Sequence, residues 1–176
     1  MLFRSRGYKY YLLDADGTEH YFYFKDANGN ATASGKDEDG LGYTLTDTGT
    51  GDAKYVITDK DGGKMQFWAS GKLATIHDTN GNFIRVTYNA EDRINTVYDG
   101  AGRNYSFFYN GPRLSHIKDS RNRQTTYNCD GNNLIKITYP DGAVVEMAYS
   151  GALLTKITNK ADNTVKIGRA SCRERV

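Results

Sequence analysis

The chain has 176 residues, of which 38% are hydrophobic and 25% are charged, with 14 Tyr, 19 Gly and only 2 Pro. This composition is typical of a β-sheet with many turns, and the hydrophobic fraction is low for a compact globular domain. The net charge of +2 is too small to indicate binding to nucleic acid. No stretch approaches the roughly 20 consecutive apolar residues of a membrane-spanning helix.

The first 68 residues predict a divergent region of β-hairpins. Two aromatic runs, 8–13 and 20–24, flank an Asp/Gly-rich break, which is the pattern of a hairpin. The polar run 31–42 contains four charged residues and is predicted to be an exposed connection. Further strands are predicted at 43–46, 55–58 and 64–68.

Residues 69–166 carry a repeat of about 20 residues. Each copy contains a Leu or Ile, an Ile or Val three residues later, a turn that usually starts with Asp and ends with Gly or Asn, and a strand that closes on Tyr or Cys. The apolar columns are Leu73, Ile94, Leu114, Leu134 and Leu154, then Ile76, Val97, Ile117, Ile137 and Ile157. The turn and closing residues are Asp78, Gly81, Asp99, Gly102, Asp119, Asn122 and Gly142, then Tyr88, Tyr109, Cys129 and Tyr149.

The turn chemistry and the periodicity together predict the fold. Asp opens a turn because its side chain accepts a hydrogen bond from the backbone two residues on, and Gly or Asn ends it because one residue must reach positive φ. No part of the repeat region has the 3.6-residue period of a helix. We therefore predict an all-β fold, in which repeated antiparallel β-hairpins form a long twisted meander sheet.

The same residues carry a family resemblance over 71–158. The segment 71–82, which has Leu73, Ile76, Asp78 and Gly81 at the repeat spacing, resembles the RHS/YD-repeat family, and so do the Tyr-Asn and Tyr-Asp steps. Cys129 and Asn122 depart from the family pattern. The resemblance implies a strip of a β-sheet shell in a large secreted or cell-surface bacterial protein, including the polymorphic toxins.

The resemblance also implies a function and partners. It implies a structural, non-enzymatic segment whose partners are further repeats and an enclosed C-terminal effector. The alternative is a cell-surface module that binds carbohydrate, such as cell-wall glycan, or protein through a Tyr-rich sheet face. No cofactor, nucleic acid partner or membrane span is expected, and the N-terminal residues carry no secretory signal pattern.

The residues that could carry chemistry have simpler interpretations. His20, His77 and His116 lack a nucleophile motif, so no catalytic residue is predicted. The run 14–19 resembles half of a calcium loop but lacks the later ligands and flanking helices, so turn geometry is the preferred interpretation and no metal site is predicted. Recurrent Tyr is expected to pack across strands.

The last ten residues, 167–176, break the period and resemble a translated sequencing adapter, so they are predicted to be non-native. They contain three Arg and one Glu of the 23 basic and 21 acidic residues, so the rest of the chain has no net charge. They also contain Cys172, which leaves Cys129 alone and without an intrachain disulfide partner.

Overall fold

The computed structural model describes residues 2–3, 10–25, 28–49, 53–159 and 163–166; the tail 167–176, with Cys172, lies outside this part. All regular secondary structure in the described ranges is β-strand, and the strand pairs there are antiparallel meander pairs. The all-β prediction is therefore confirmed. Within the described residues there is no helix of the length and hydropathy needed to cross a membrane.

The chain divides into two compact units, Met1–Arg103 and Asn104–Val176. In the first unit each strand pairs with the next along the chain. Its strands are β1 Leu2–Phe3, β2 Tyr10–Leu13, β3 Glu19–Lys25, β4 Ala31–Asp37, β5 Thr44–Asp47, β6 Tyr55–Thr58, β7 Lys64–Phe67, β8 Leu73–His77, β9 Phe83–Tyr88 and β10 Ile94–Asp99.

The second unit is also a meander of consecutive antiparallel strands. Its strands are β11 Asn104–Asn110, β12 Arg113–Asp119, β13 Gln124–Asp130, β14 Asn133–Thr138, β15 Val144–Ser150, β16 Leu153–Asn159 and β17 Asn163–Lys166. Most have six or seven residues.

The hydrophobic core of the first unit is built by β2 to β7. Phe22, Leu45, Ile57 and Phe67 are its fully buried side chains, each on a different strand. Burying an aliphatic or aromatic side chain of this size stabilises a fold by about 1.5–3 kcal/mol. The N-terminal strands therefore have a core of their own, although their sequence lacks a regular repeat.

A contact across the core shows that this sheet is rolled. The Tyr10 hydroxyl on β2 lies 3.2 Å from both the Tyr55 hydroxyl on β6 and Asp47 Oδ2 on β5. In a flat sheet, strands four places apart are about 19 Å from each other, since neighbouring strands are spaced by about 4.8 Å. The sheet must curl for these side chains to meet. Burial and the neighbouring Tyr55 raise the pKa of Tyr10.

The prediction of an exposed connection at 31–42 was wrong for its first half. Residues Ala31–Asp37 form β4, which pairs with β3 on one side and β5 on the other. Gly35 is buried beneath the Phe24 ring, and a Cβ at Gly35 would lie 2.5 Å from Phe24 Cδ2. The small, polar composition that suggested a loop is what lets the Phe24 ring cover the backbone of β4.

The predicted turn chemistry is present between the repeat strands. Asp78 Oδ1 accepts hydrogen bonds from the backbone N–H groups of Asn80 at 2.9 Å and Asn82 at 2.8 Å, two and four residues on. The same pair of bonds recurs at Asp14, Asp59, Asn89, Asp99 and Asp119. The fourth turn residue has positive φ at Gly81, Gly102, Asn122 and Gly142.

Candidate functional site

The closing column of the repeat occupies one structural position. Each closing residue pairs across the hairpin with the Leu or Ile that starts the next copy; the pairs are Phe67 with Leu73, Tyr88 with Ile94, Tyr109 with Leu114, Cys129 with Leu134 and Tyr149 with Leu154. The register shifts by one residue beside these pairs, which is a β-bulge.

Two of the closing Tyr side chains are engaged by the sheet itself. The Tyr88 hydroxyl donates to the Leu73 carbonyl at 2.9 Å, and the Tyr149 hydroxyl donates to the Leu134 carbonyl at 2.9 Å. Burial raises the pKa of Tyr88. These rings therefore pack across strands, as we expected for the recurrent Tyr residues. Their hydroxyls bind backbone carbonyls and are not directed at a ligand.

Polar side chains link neighbouring turns along the sheet. Lys72 Nζ lies 2.5 Å from Asp92 Oδ1 and 5.1 Å from the centre of the Tyr88 ring. In the second unit, the Arg113 guanidinium donates to Asn132 Oδ1 at 2.5 Å and Asn133 Nδ2 donates to the Gly151 carbonyl at 3.2 Å. Each link joins residues about one repeat apart and so reinforces the stacking of hairpins.

The second unit presents an apolar row on one face of its sheet. Direct pairing places Phe107 opposite Ile117, Tyr127 opposite Ile137, and Met147 opposite Ile157. The pairs Ile117–Thr125 and Ile137–Val145 put the three groups on the same face, because residues two apart on a strand point the same way. We call Phe107, Ile117, Tyr127, Ile137, Met147 and Ile157 the apolar row.

The opposite face of this sheet is mostly polar. It carries Lys118, Gln124, Thr126, Lys136, Glu146 and Lys156. Its aromatic residue Phe108 stacks against His116 with ring centres 4.3 Å apart, and Lys118 lies over the Phe108 ring. Burial and Lys118 lower the pKa of His116.

The apolar row is only half-buried. None of the residues from 104 to 159 is fully buried, so within this described part of the unit no second layer covers either face. Ile117, Ile137 and Ile157 were predicted as one apolar column of the repeat, whereas the other three members were not predicted. Phe107, Tyr127 and Met147 could have been found from their spacing, because each lies ten residues from a member of the Ile column.

The other two members of the Ile/Val column, Ile76 and Val97, lie in the first unit. Ile76 pairs with Ile84, and Val97 pairs with Val86. Ile76, Ile84 and Phe83 are exposed. Together with the Asp78 and Asp99 turns they line an open groove of about 340 Å³.

The carboxylates beside this groove are held by their own turns. Asp78 Oδ2 accepts from Asn82 Nδ2 at 2.6 Å, and Asp99 Oδ2 accepts from Arg103 Nε at 2.6 Å. Hydrogen bonds from Asn82 lower the pKa of Asp78, and backbone and side-chain bonds from Arg103 lower that of Asp99. Asp119 is partly buried, which opposes ionisation, but bonds from Arg123 leave its pKa lowered. These charges stabilise turns.

A second apolar pocket, of about 360 Å³, lies in the first unit and was not anticipated. We call it the N-terminal pocket; it is lined by Leu12, Leu13, Asp14, Ala15, His20, Tyr43, Met65, Phe67, Leu73 and Ile76. His20 is buried, with Nε2 3.0 Å from Asp14 Oδ2 and Nδ1 2.9 Å from Asp39 Oδ2.

The hydrogen bonds around His20 shift the pKa values of His20 and Asp14 in opposite directions, and both shifts favour the charged form. The hydrogen bond to Asp14 raises the pKa of His20 despite its burial, and the bond to Asp39 adds to this effect. Bonds with Asp16 and His20 lower the pKa of Asp14 to about 2. This cluster was not predicted from the sequence, because Asp39 is 19 residues from His20.

The other groups with possible chemistry have structural partners. The Ser115 hydroxyl donates to the Phe108 carbonyl at 3.1 Å and lies 2.9 Å from His116 Nδ1; Thr155, two repeats on, makes the equivalent bond to the Ala148 carbonyl. His77 Nε2 lies 3.1 Å from the Thr75 hydroxyl. Cys129 is exposed. In the described ranges no group of three or more His, Cys, Asp or Glu could hold a metal ion.

Comparison with known proteins identifies no family for the chain. No protein-family model matches the chain, and no curated protein matches it.

Proposed function

We propose that the chain is a structural segment of a β-sheet wall, of the RHS/YD-repeat shell type, in a secreted or cell-surface bacterial protein. The observation that carries the proposal is the apolar row on a sheet that, in the described residues 104–159, has a single layer and a mostly polar opposite face. A sheet of this kind separates an apolar-lined interior from solvent. The proposed partners are further repeats and an effector segment enclosed by the wall.

The hydrogen bonding of the repeat supports a mechanical role. Carboxylates cap the turns, the closing Tyr hydroxyls bind backbone carbonyls, and Lys72, Arg113 and Asn133 link successive turns. The turn carboxylates, including Asp78 and Asp99 beside the open groove, are held by hydrogen bonds within their own turns. Such an arrangement stiffens a repeat array, in which each unit depends on its neighbours for stability.

A protease-protection experiment tests the proposal. In the full reading frame that contains this chain, Ile137→Asp places a charge in the apolar row, whereas Lys136→Asp places the same charge on the neighbouring, half-buried position of the polar face. We expect Ile137→Asp to expose the enclosed segment to protease while Lys136→Asp leaves it protected. Circular dichroism checks that both variants keep their β-structure.

Equal protease sensitivity in the two folded variants would contradict the proposal, because the two faces would then be equivalent. The binding-module alternative is supported by the exposed rings of Tyr23, Tyr105 and Tyr139. It predicts a saturable change in Tyr or Trp fluorescence with a wall glycan, and a flat response across a panel of wall polysaccharides would count against it.

A further inference from the structure

The side chain of His20 is placed between two carboxylates from different parts of the first unit. Asp14 opens the turn between β2 and β3, and Asp39 lies in the connection between β4 and β5. His20 itself lies on β3, where it is buried opposite Leu12. One imidazole therefore joins a strand to two connections.

The protonation state of His20 decides how many of these contacts are hydrogen bonds. An imidazolium has two N–H groups and can donate to Asp14 and Asp39 at once. A neutral imidazole has one N–H, so its other nitrogen would direct a lone pair at a carboxylate. Both distances, 3.0 Å to Asp14 and 2.9 Å to Asp39, are within hydrogen-bonding range, so an imidazolium at this position can donate both bonds.

Both carboxylates belong to ordered connections. Asp14 Oδ1 accepts from the N–H groups of Asp16 and Thr18, which fixes the first turn. In the other connection, Asp37 Oδ2 accepts from the Leu41 N–H at 2.6 Å. The Tyr43 ring stands edge-on to His20, with ring centres 6.3 Å apart.

The described side chains around His20 are mainly acidic or apolar. Among the described residues, the titratable groups that face it are Asp14, Asp39 and Tyr43, with Asp16 hydrogen-bonded to Asp14. Its cross-strand neighbour Leu12 is apolar, as are Met65 and Phe67 in the adjoining pocket wall. No basic side chain is among these groups.

We propose that Asp14, His20 and Asp39 form a proton-dependent clasp that holds the β2–β3 turn and the β4–β5 connection at the mouth of the N-terminal pocket. Asp14, His20 and Tyr43 line the pocket, so loosening the clasp changes access to its apolar walls. The clasp is closed when His20 is an imidazolium and loosens when the proton leaves. The structure thus contains a pH-sensitive element separate from the repeat wall.

The sign of the effect follows from proton linkage. The pKa of His20 is raised in the folded state, so its contribution is fully present below its ordinary pKa of about 6.5 and is lost as the pH rises through the raised value. The pKa of Asp14 is lowered to about 2, so its contribution is lost only as the pH falls toward that value. The clasp is therefore strongest between about pH 4 and pH 6.5.

Hydrogen exchange in the full chain tests the proposal. We expect the opening equilibrium of segments 14–18 and 38–42, corrected for intrinsic exchange, to rise by up to about tenfold per pH unit between pH 6.5 and the pKa of His20, and then to level off. In His20→Gln this rise should disappear. His77→Gln is the matched control, since His77 lies on β8 of the same unit and contacts the Thr75 hydroxyl instead of a carboxylate.

Nitrogen-15 spectra of the imidazole groups give an independent measurement. At pH 6 both ring nitrogens of His20 should be protonated. If His20→Gln fails to fold, Asp39→Asn serves instead, and it should move the pH of opening downward because one carboxylate partner is lost. A neutral His20 at pH 6, or equal protection of the two segments at pH 6 and pH 8.5 in the unmodified chain, would overturn the proposal.

Discussion

The closing Tyr of a repeat contacts two strands at once. Tyr149 stands opposite Leu154 on the next strand, while its hydroxyl reaches back to the Leu134 carbonyl on the previous one. Tyr88 makes the same bond to the Leu73 carbonyl. At this scale the recurrence of Tyr follows from a hydrogen bond that a Phe or Leu at the same position would lack.

Cys129 occupies this position without a ring or a hydroxyl, which leads to a prediction. Cys129→Tyr should stabilise the second unit, because the new hydroxyl can reach the Leu114 carbonyl as Tyr149 reaches that of Leu134. The expected gain from the hydrogen bond is about 0.5–1.5 kcal/mol in the free energy of unfolding, measured by urea denaturation.

Cys129→Phe is the control for ring packing alone. We expect Cys129→Tyr to be the more stable of the two variants. Equal unfolding midpoints would show that the hydroxyl contributes nothing at this position.

At the scale of the element, the turn determines where each strand ends. The first residue accepts two backbone bonds through its side chain, and the fourth has positive φ. Asn122 fills this fourth position with φ of 61°, where Gly81, Gly102 and Gly142 stand in the other copies. Asn adopts this conformation more readily than other residues with a Cβ, but less readily than Gly.

The turn at 119–123 therefore yields a second prediction. Asn122→Ala should lower the free energy of unfolding by about 1 kcal/mol, because Ala pays the steric cost of positive φ without the local hydrogen bonding of Asn. Asn122→Gly should be nearly neutral or slightly stabilising. Thermal unfolding of the two variants provides the measurement. An Ala variant as stable as the Gly variant would show that positive φ at position 122 does not limit stability.

How much of this could be predicted from the sequence depends on how local each interaction is. The Asp turns were predicted because donor and acceptor are two to four residues apart, as at Asp78. Strand β4 was missed because its evidence is non-local: it pairs with β3 and β5, and Gly35 accommodates the Phe24 ring. The link between His20 and Asp39 likewise depends on the path of the sheet.

The apolar row was found only in part for a different reason. Ile117, Ile137 and Ile157 belong to a repeat column, whereas Phe107, Tyr127 and Met147 lie on the alternate strands and share no residue type. Their place on one face becomes visible once the pairs Phe107–Ile117 and Met147–Ile157 fix the register.

At the scale of the molecule, the two units differ in how they bury apolar surface. The first unit has a core around Phe22, Leu45, Ile57 and Phe67, whereas in the second unit the described residues 104–159 contain no fully buried side chain. Stability of such a sheet depends on neighbouring hairpins and on whatever adjoins the apolar row. Under the wall proposal, the apolar row of the second unit is covered by the enclosed interior instead of by a core of its own.

The most direct test of the wall proposal is an electron cryomicroscopy structure of the full reading frame that contains this chain. The proposal predicts that the repeat hairpins line a closed interior, with Phe107, Ile117, Tyr127, Ile137, Met147 and Ile157 turned inward and Lys136 and Lys156 turned to solvent. A map in which the apolar row faces bulk solvent, or in which the polar face lines the interior, would contradict it.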